Sequence, residues 1–109
     1  MFALRQIREH ACSGMNVREM LKSIPLSRRV LEHRFQKLLG RTPHAEILRV
    51  RIERASELLR DTDLRLEEVA RKSGFVRGDY LSTAFRRQVG IRPIDYRRQT
   101  RRIKTAQQN

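Results

Sequence analysis

The sequence of 109 residues has little cysteine, proline, glycine or aromatic side chain, and it has no tryptophan. Cys12 is the only cysteine, so the chain can form no internal disulfide and offers no cysteine cluster for a structural zinc ion. No apolar run is long enough to cross a bilayer or to form the core of a signal peptide. We therefore expect a soluble, cytoplasmic protein of about one domain, with no membrane partner.

Negative charge is also scarce. Lys and Arg together number 25 and Asp and Glu only 12, which gives a formal net charge of +13 and a pI near 11.5. An excess of this size repels itself within an isolated fold, so the composition favours a polyanionic partner, with nucleic acid first among the candidates. A highly charged, solvated surface is the alternative that composition leaves open.

Apolar residues recur at helical spacing along almost the whole chain, and no run of β-branched residues alternates with period two. The sequence therefore predicts an all-α fold of seven helices. Asn16, Ser27 and Thr42 are placed to cap the second, third and fourth helices, while Gly40 and Gly90 are placed to end the third and sixth.

The two halves of the chain repeat each other. Residues that recur 50 positions later are Leu31, Phe35, Gly40 and Pro43, as Leu81, Phe85, Gly90 and Pro93. Residues that recur 49 positions later are Val17, Met20 and Leu21, as Leu66, Val69 and Ala70. Each half is thus a short helix, a turn and a longer helix, the layout of a helix-turn-helix unit.

These repeats predict an organisation into two units. We place the first in residues 1–42, a linking helix in 43–60, the second unit in 61–104 and a frayed tail in 105–109. The apolar faces of the two longer helices are predicted to bury the following side chains: Val30, Leu31, Phe35, Leu38 and Leu39 in the first unit, and Tyr80, Leu81, Ala84, Phe85 and Val89 in the second.

A helix-turn-helix unit reads DNA with the exposed N-terminal side chains of its second helix, which fits the major groove. In the first unit these side chains are Arg28, Arg29, Glu32 and His33. In the second unit the same positions hold shorter, hardly basic residues: Gly78, Asp79, Ser82 and Thr83. We expect the first unit to supply most base readout and the second mainly to anchor phosphate. For each residue taken singly, an ordinary solvated helix face is an equally good interpretation.

Phosphate contacts are expected from residues beside the two reading helices: Lys37, Thr42, Arg77, Arg86, Arg87 and Arg92. Thr42 and Arg92 precede prolines at helix starts, where free backbone N–H groups could receive a phosphate. The linking helix should be about 27 Å long. It could hold the reading helices one DNA turn apart, about 34–36 Å, so that one chain reads a bipartite site in double-stranded DNA.

A longer signature runs through the second unit: Gly74-Phe75, Tyr80-Leu81-Ser82-Thr83-Ala84-Phe85-Arg86-Arg87, Gly90, Pro93 and Tyr96-Arg97. With it, the chain resembles over nearly its whole length the DNA-binding domain of the AraC/XylS family of bacterial transcription regulators. The resemblance implies a seven-helix fold, base contacts from both reading helices and activation of transcription by recruiting RNA polymerase. It also implies that an effector, often a sugar, binds to a separate domain. Since 109 residues leave no room for one, we expect a fragment or a stand-alone DNA reader.

Two positions depart from the family pattern. Pro25 stands where many members have a helix-ending glycine, and proline cannot adopt a positive φ, so the first turn must differ locally. Gly78-Asp79 replaces larger polar residues in the second reading helix, which lowers the expected sequence specificity of that helix.

Two other classes of function remain open. Catalysis has little support, because His10, His33 and His44 are scattered and Cys12 has no evident partner base; we expect no enzyme activity, no cofactor and no metal site. RNA binding or non-specific nucleoid packing would use the same charge. RNA readers present exposed aromatics, however, whereas the sequence places these on core faces: Phe35, Phe75, Phe85, Tyr80 and Tyr96.

Overall fold

A computed structural model describes residues 2–108 as a helical molecule with extents of 52 × 25 × 21 Å. Its helices are α1 Phe2–His10, α2 Val17–Leu21, α3 Arg28–Leu39, α4 Pro43–Asp61, α5 Leu66–Lys72, α6 Gly78–Val89 and α7 Pro93–Gln108, and a 3₁₀ turn at Ala11–Ser13 continues α1. Within this range no strand forms, so the predicted all-α class with seven helices is confirmed. None of the helices described combines the length and the apolar character that a membrane span requires.

Three helices begin at the predicted side-chain caps. The side-chain oxygens of Asn16, Ser27 and Thr42 accept hydrogen bonds from the backbone N–H three residues further on, at 2.9, 3.2 and 3.1 Å. Each bond satisfies a donor that has no partner inside the helix. Gly40 and Gly90 end α3 and α6 with φ of +72° and +94°, a left-handed conformation that glycine adopts without steric cost.

Each unit has its own apolar core, and α4 contributes to both. The first core is formed by residues of α1 to α4, namely Ala3, Ile7, Ala11, Val17, Met20, Ile24, Leu31, Phe35 and Ile47. The second is formed by residues of α4 to α6, namely Ile52, Ala55, Leu58, Leu59, Val69, Ala70, Phe75, Leu81 and Phe85, with Tyr96 of α7 packed against it. The N-terminal part of α4 therefore supports α3, and its C-terminal part supports α6.

Four apolar residues predicted to face the cores do not. Val30, Leu38, Tyr80 and Val89 are 40%, 68%, 56% and 38% exposed. Val30 and Tyr80 each directly precede a buried leucine, and consecutive residues of a helix point about 100° apart, so both lie beside the apolar stripe. Leu38 and Val89 lie in the last turns of α3 and α6, past the buried phenylalanine of each helix.

Two predicted boundaries also shift. The linking helix, predicted over 43–60, continues to Asp61. The tail predicted to fray from residue 105 is helical as far as Gln108, while Asn109 lies outside the described residues.

Candidate nucleic-acid interface

The exposed start of α3 carries the four side chains that the sequence assigned to base reading in the first unit. Arg28, Arg29 and His33 are exposed and Glu32 is half-buried. Their helical spacing places them on the side of α3 that does not carry the buried Leu31. Among the residues that the structure describes, no carboxylate lies within salt-bridge distance of Arg28 or Arg29. Both guanidinium groups thus keep their donors directed to solvent.

The start of α6 is arranged differently. Arg77 donates to both carboxylate oxygens of Asp79, with Nε–Oδ1 and Nη2–Oδ2 distances of 3.0 and 2.9 Å. The same guanidinium lies over the exposed ring of Tyr80, with its central carbon 5.0 Å from the ring centroid. The cation expected to contact phosphate and the carboxylate expected to read a base therefore neutralise each other in this structure.

Glu67 of α5 caps the start of α6. Its Oε2 accepts a hydrogen bond of 3.1 Å from the backbone N of Gly78, and a Cβ at Gly78 would displace that flexible, exposed carboxylate. Arg77 stands at the N-cap position and its side chain provides no cap. Glu67 was not among the predicted site residues, although an arginine at an N-cap is a signal that the acceptor must come from elsewhere.

Ser82 and Thr83 lie on the second turn of α6. Thr83 is exposed, and its Oγ1 donates to the backbone oxygen of Asp79 at 3.0 Å, so its hydroxyl keeps acceptor capacity towards solvent. Ser82 is half-buried, and both residues border an apolar hollow of about 520 Å³ whose lining includes Leu59 and Ile94. These two side chains offer short, neutral contacts rather than charge.

The residues predicted to contact phosphate fall into two groups. Arg92 is engaged by Asp95, with Nε–Oδ2 and Nη2–Oδ1 distances of 2.8 and 3.3 Å, and this hydrogen bonding holds the pKa of Asp95 below its usual value. Thr42 uses its hydroxyl oxygen as the cap of α4. The members for which the described residues provide no ion-pair partner are Lys37, Arg86 and Arg87, all exposed and all in the last turns of α3 and α6.

Other charged residues, which were not among the predicted site residues, stabilise the scaffold. Glu46 is only 4% exposed and accepts from the Nε atoms of Arg41 and Arg49 at 2.8 and 2.6 Å. Burial acts to raise the pKa of Glu46, but the hydrogen bonds from Arg49 and Arg41 outweigh it and hold the pKa below its usual value.

Two arginines separated by the 50-residue repeat bind backbone carbonyls. Arg51 donates to the oxygens of Ala11 and Met15 at 2.8 and 2.7 Å. Arg101 donates to the oxygen of Thr62 at 2.6 Å. The repeat spacing was the available signal for this pair, since it sets both arginines at the same position of equivalent helices. In this structure both guanidinium groups are engaged with the scaffold, Arg101 also with the Asp63 carboxylate at 2.6 Å.

Metal-binding geometry is not found in the part of the chain that the structure describes. Between residues 2 and 108, no three His, Cys, Asp or Glu side chains come together in a way that could hold an ion. Burial raises the pKa of the Cys12 thiol despite the nearby Arg51 and Arg54, which favours the less reactive protonated form. The candidate nucleic-acid interface is formed by the exposed polar faces of α3 and α6, which carry Arg28, Arg29, Lys37, Arg86 and Arg87.

Comparisons with known proteins agree with this geometry. A family model described as a helix-turn-helix domain matches residues 20–99. The xylose operon regulatory protein of Escherichia coli K12 is 35% identical over 95 residues, which is 87% of this chain and 24% of that protein. The chain thus spans about a quarter of the length of the curated relatives that it matches first.

Solved structures extend the likeness to three dimensions. The DNA-binding domain of the global transcriptional factor AdpA, solved with a target DNA, superposes with a TM-score of 0.88 at 30% identity, over 95% of this chain and 94% of that one. A transcriptional regulator from Chromobacterium violaceum, described as having an AraC-type DNA-binding domain, gives a TM-score of 0.74 at 25% identity, over 90% and 91% of the two chains. The chain therefore belongs to the AraC-type helix-turn-helix domain family.

Proposed function

We propose that this chain binds double-stranded DNA in a sequence-specific manner, as the DNA-binding part of a bacterial transcription regulator, with α3 and α6 in successive major grooves. The observation that carries the proposal is that one helix, α4, contributes to both cores and so holds both reading helices in a single molecule. The long dimension of 52 Å exceeds the spacing of successive grooves on one DNA face, about 34–36 Å.

The first unit is proposed to read bases directly. A helix about 10–12 Å across fits the major groove, and Arg28 and Arg29 at the start of α3 present guanidinium groups for which residues 2–108 provide no carboxylate partner. Such a group can donate twice to guanine, while Glu32 can accept from the amino group of cytosine and His33 can donate to a base acceptor or to phosphate.

The second unit is proposed to anchor the DNA backbone. Arg86 and Arg87 of α6, together with Lys37 of α3, supply the exposed cations that phosphate requires. Arg77 and Arg92 can join them when phosphate replaces Asp79 and Asp95 as their partner, since phosphate accepts the same pair of parallel hydrogen bonds from a guanidinium as a carboxylate does. Thr42 would contribute through the N-terminus of α4. Ser82, Thr83 and Asp79 would then add only modest base discrimination.

The wider role follows from the relatives. We propose that the regulator containing this chain acts in the cytoplasm, responds to an effector through a domain outside these residues, and activates transcription by contact with RNA polymerase. The name of the Escherichia coli relative, a xylose operon regulator, supports a sugar as the type of effector.

Duplex DNA is favoured over RNA by the placement of the aromatic side chains. Phe35, Phe75 and Phe85 are buried. Tyr80 is exposed, contrary to the sequence prediction, but its ring lies beneath Arg77. The other aromatic that the structure leaves exposed, Phe2, belongs to the first unit, so the described surface offers no continuous platform on which successive RNA bases could stack.

Selection from a random duplex-DNA pool at physiological salt, followed by sequencing, tests the proposal. We expect enrichment of a bipartite motif whose halves are centred about 10–11 base pairs apart. Arg28→Ala should relax the motif in one half, whereas the control Arg5→Ala, which removes the same charge from α1, should leave the motif intact. Strong retention without any enriched motif, or displacement of the duplex by structured RNA, would contradict the proposal.

A further inference from the structure

The two units are in close contact at the turn between α5 and α6. Gly74 in this turn has a φ of +92°, and a Cβ built on it would lie 2.5 Å from the backbone oxygen of Ala11 and 3.0 Å from the Cα of Cys12. Both atoms belong to the 3₁₀ turn that ends the first helix of the other unit. Since backbone cannot swing aside as a side-chain tip can, the second unit approaches the first more closely than any residue but glycine allows.

Arg51 of α4 binds the same segment of the first unit. Its Nε donates to the oxygen of Ala11 at 2.8 Å and its Nη2 to the oxygen of Met15 at 2.7 Å, and the side chain is half-buried. The Nε atom would also lie 2.9 Å from a Cβ at Gly74. Ala11, Met15, Arg51 and Gly74 thus form one contact between the units, which we call the seam.

The seam is not a general consequence of the helix-turn-helix layout. The position equivalent to Gly74 in the first unit is Pro25, 49 residues earlier, and it is exposed. The other left-handed glycines are Gly14, Gly40 and Gly90, and a Cβ on each would meet no described atom within 4 Å. Close approach between units is therefore a property of Gly74 in particular, in addition to the left-handed backbone that it shares with the others.

We infer that the seam sets the distance and angle between α3 and α6, and hence the half-site spacing that the chain reads, with Gly74 and Arg51 as positioning residues. This inference rests on the proposed function. Both reading helices are attached to α4, and the seam adds a second connection between the units, from the turn before α6 to the edge of the first core at Ala11. Two linked modules gain affinity from simultaneous binding only when their geometry matches the spacing of the two sites.

Gly74→Ala and Gly90→Ala form a matched pair that tests this inference. Both place alanine at nearly the same positive φ, +92° and +94°, where a side chain is strained, but only Gly74→Ala drives a methyl group into the other unit. Each variant is titrated with the selected bipartite duplex, with duplexes whose spacing is altered by one or two base pairs, and with each half-site alone.

We expect Gly74→Ala to lose roughly ten- to a hundredfold in affinity at the wild-type spacing, to shift or broaden its spacing optimum, and to keep its half-site affinities. Gly90→Ala should keep the wild-type optimum. Arg51→Lys, which keeps the charge but cannot bind both carbonyls as a planar fork, should change the optimum in the same direction by less. An unchanged spacing profile in Gly74→Ala, or an equal loss on half-sites and bipartite sites, would overturn the inference.

A distance measurement separates the seam from DNA binding. Spin labels are attached at Gln36→Cys in α3 and Gln88→Cys in α6, both exposed, in a Cys12→Ser background. We expect Gly74→Ala to shift or widen the distance distribution and Gly90→Ala to leave it unchanged. Should the wild type bind no DNA while this difference appears, the proposed function would fail and the seam would stand. Identical distributions in the two variants would overturn the inference whatever the DNA result.

Discussion

The first and second units bury matching side chains and present unlike charges. Leu31 and Phe35 of α3 and their counterparts in α6 are fully buried. Yet Arg28 stands unpaired among the described residues where α6 has a glycine, and Arg77 beside that glycine is occupied by Asp79. Close packing restricts what a core position can hold, whereas an exposed helix face tolerates almost any polar residue. A duplicated unit can therefore keep its fold while its recognition surface diverges.

The helices that follow the two reading helices are a second place where the units differ. Glu46 of α4 and Tyr96 of α7 are equivalent in the repeat. Glu46 is a buried carboxylate bound by two arginines, while the Tyr96 ring packs edge-on against Phe85 with centroids 5.3 Å apart. One position is thus stabilised by charge in the first unit and by aromatic packing in the second, so the two units should respond differently to pH and to truncation.

The largest effects should come from the shared scaffold. Phe35→Ala and Phe85→Ala each remove a fully buried ring and should lower the free energy of unfolding by about 3–5 kcal/mol. The loss should be greater for Phe85→Ala, because that variant also removes the edge contact with Tyr96. Urea unfolding followed by circular dichroism measures both. A loss under about 1 kcal/mol in either variant would contradict the assigned core.

The next largest effect should be on base discrimination, which we expect to differ between the two units. Arg28→Ala should lose about 2 kcal/mol of discrimination at one base pair, the magnitude expected for a bidentate arginine–guanine contact. Ser82→Ala should lose less discrimination, since it removes only one neutral hydroxyl. Competition binding with duplexes substituted one base pair at a time gives both values. Greater loss of discrimination in Ser82→Ala than in Arg28→Ala would reverse the proposed division of labour.

Acid should remove the contribution of Glu46 to the stability of the first unit. Glu46→Gln should lower the free energy of unfolding by about 1 kcal/mol at neutral pH, because two charge-assisted hydrogen bonds become neutral. Folding lowers the pKa of Glu46, so its contribution is present above pH 4.5 and is lost as the pH falls through the lowered value. Unfolding curves measured across this range should converge for the variant and the wild type. Tyr96→Phe, the matched change in the second unit, should show no such convergence.

The smallest expected effect is on the salt dependence of DNA binding. Asp79→Asn and Asp95→Asn release Arg77 and Arg92 from their partners, and each should steepen the slope of log affinity against log salt by up to about one. Glu57→Gln makes the same change in net charge and frees Arg54 on α4, away from both reading helices. A slope that steepens equally in this control would show that net charge, rather than the released arginines, is responsible.

Local sequence signals predicted the scaffold well. Asn16, Ser27 and Thr42 cap helices where expected because a cap bond joins residues only three apart. The buried leucine and phenylalanine of each reading helix follow from periodicity for a similar reason. Tyr80 and Val30 were misplaced because hydrophobicity alone does not distinguish the buried stripe from the flank beside it.

Contacts between distant residues escaped prediction. Glu67 reaches Gly78 across 11 residues, and Arg51 reaches Ala11 across 40. Such contacts depend on how the helices pack, which periodicity does not specify. In the sequence Gly74 stands out only as part of the family signature, and only the fold shows that it faces the other unit. The sequence shows that an aspartate follows Arg77 by two residues and Arg92 by three. It does not show the side-chain rotamers that bring each pair into contact.

Hydroxyl-radical footprinting of the selected duplex, at a measured ratio of one chain per duplex, tests most directly whether a single chain spans two major grooves. We expect two protected windows on the same face of the DNA, about one helical turn apart, with both windows appearing at the same protein concentration. A single window at that ratio, or a second window that appears only when a second chain binds, would contradict recognition of successive grooves by one molecule.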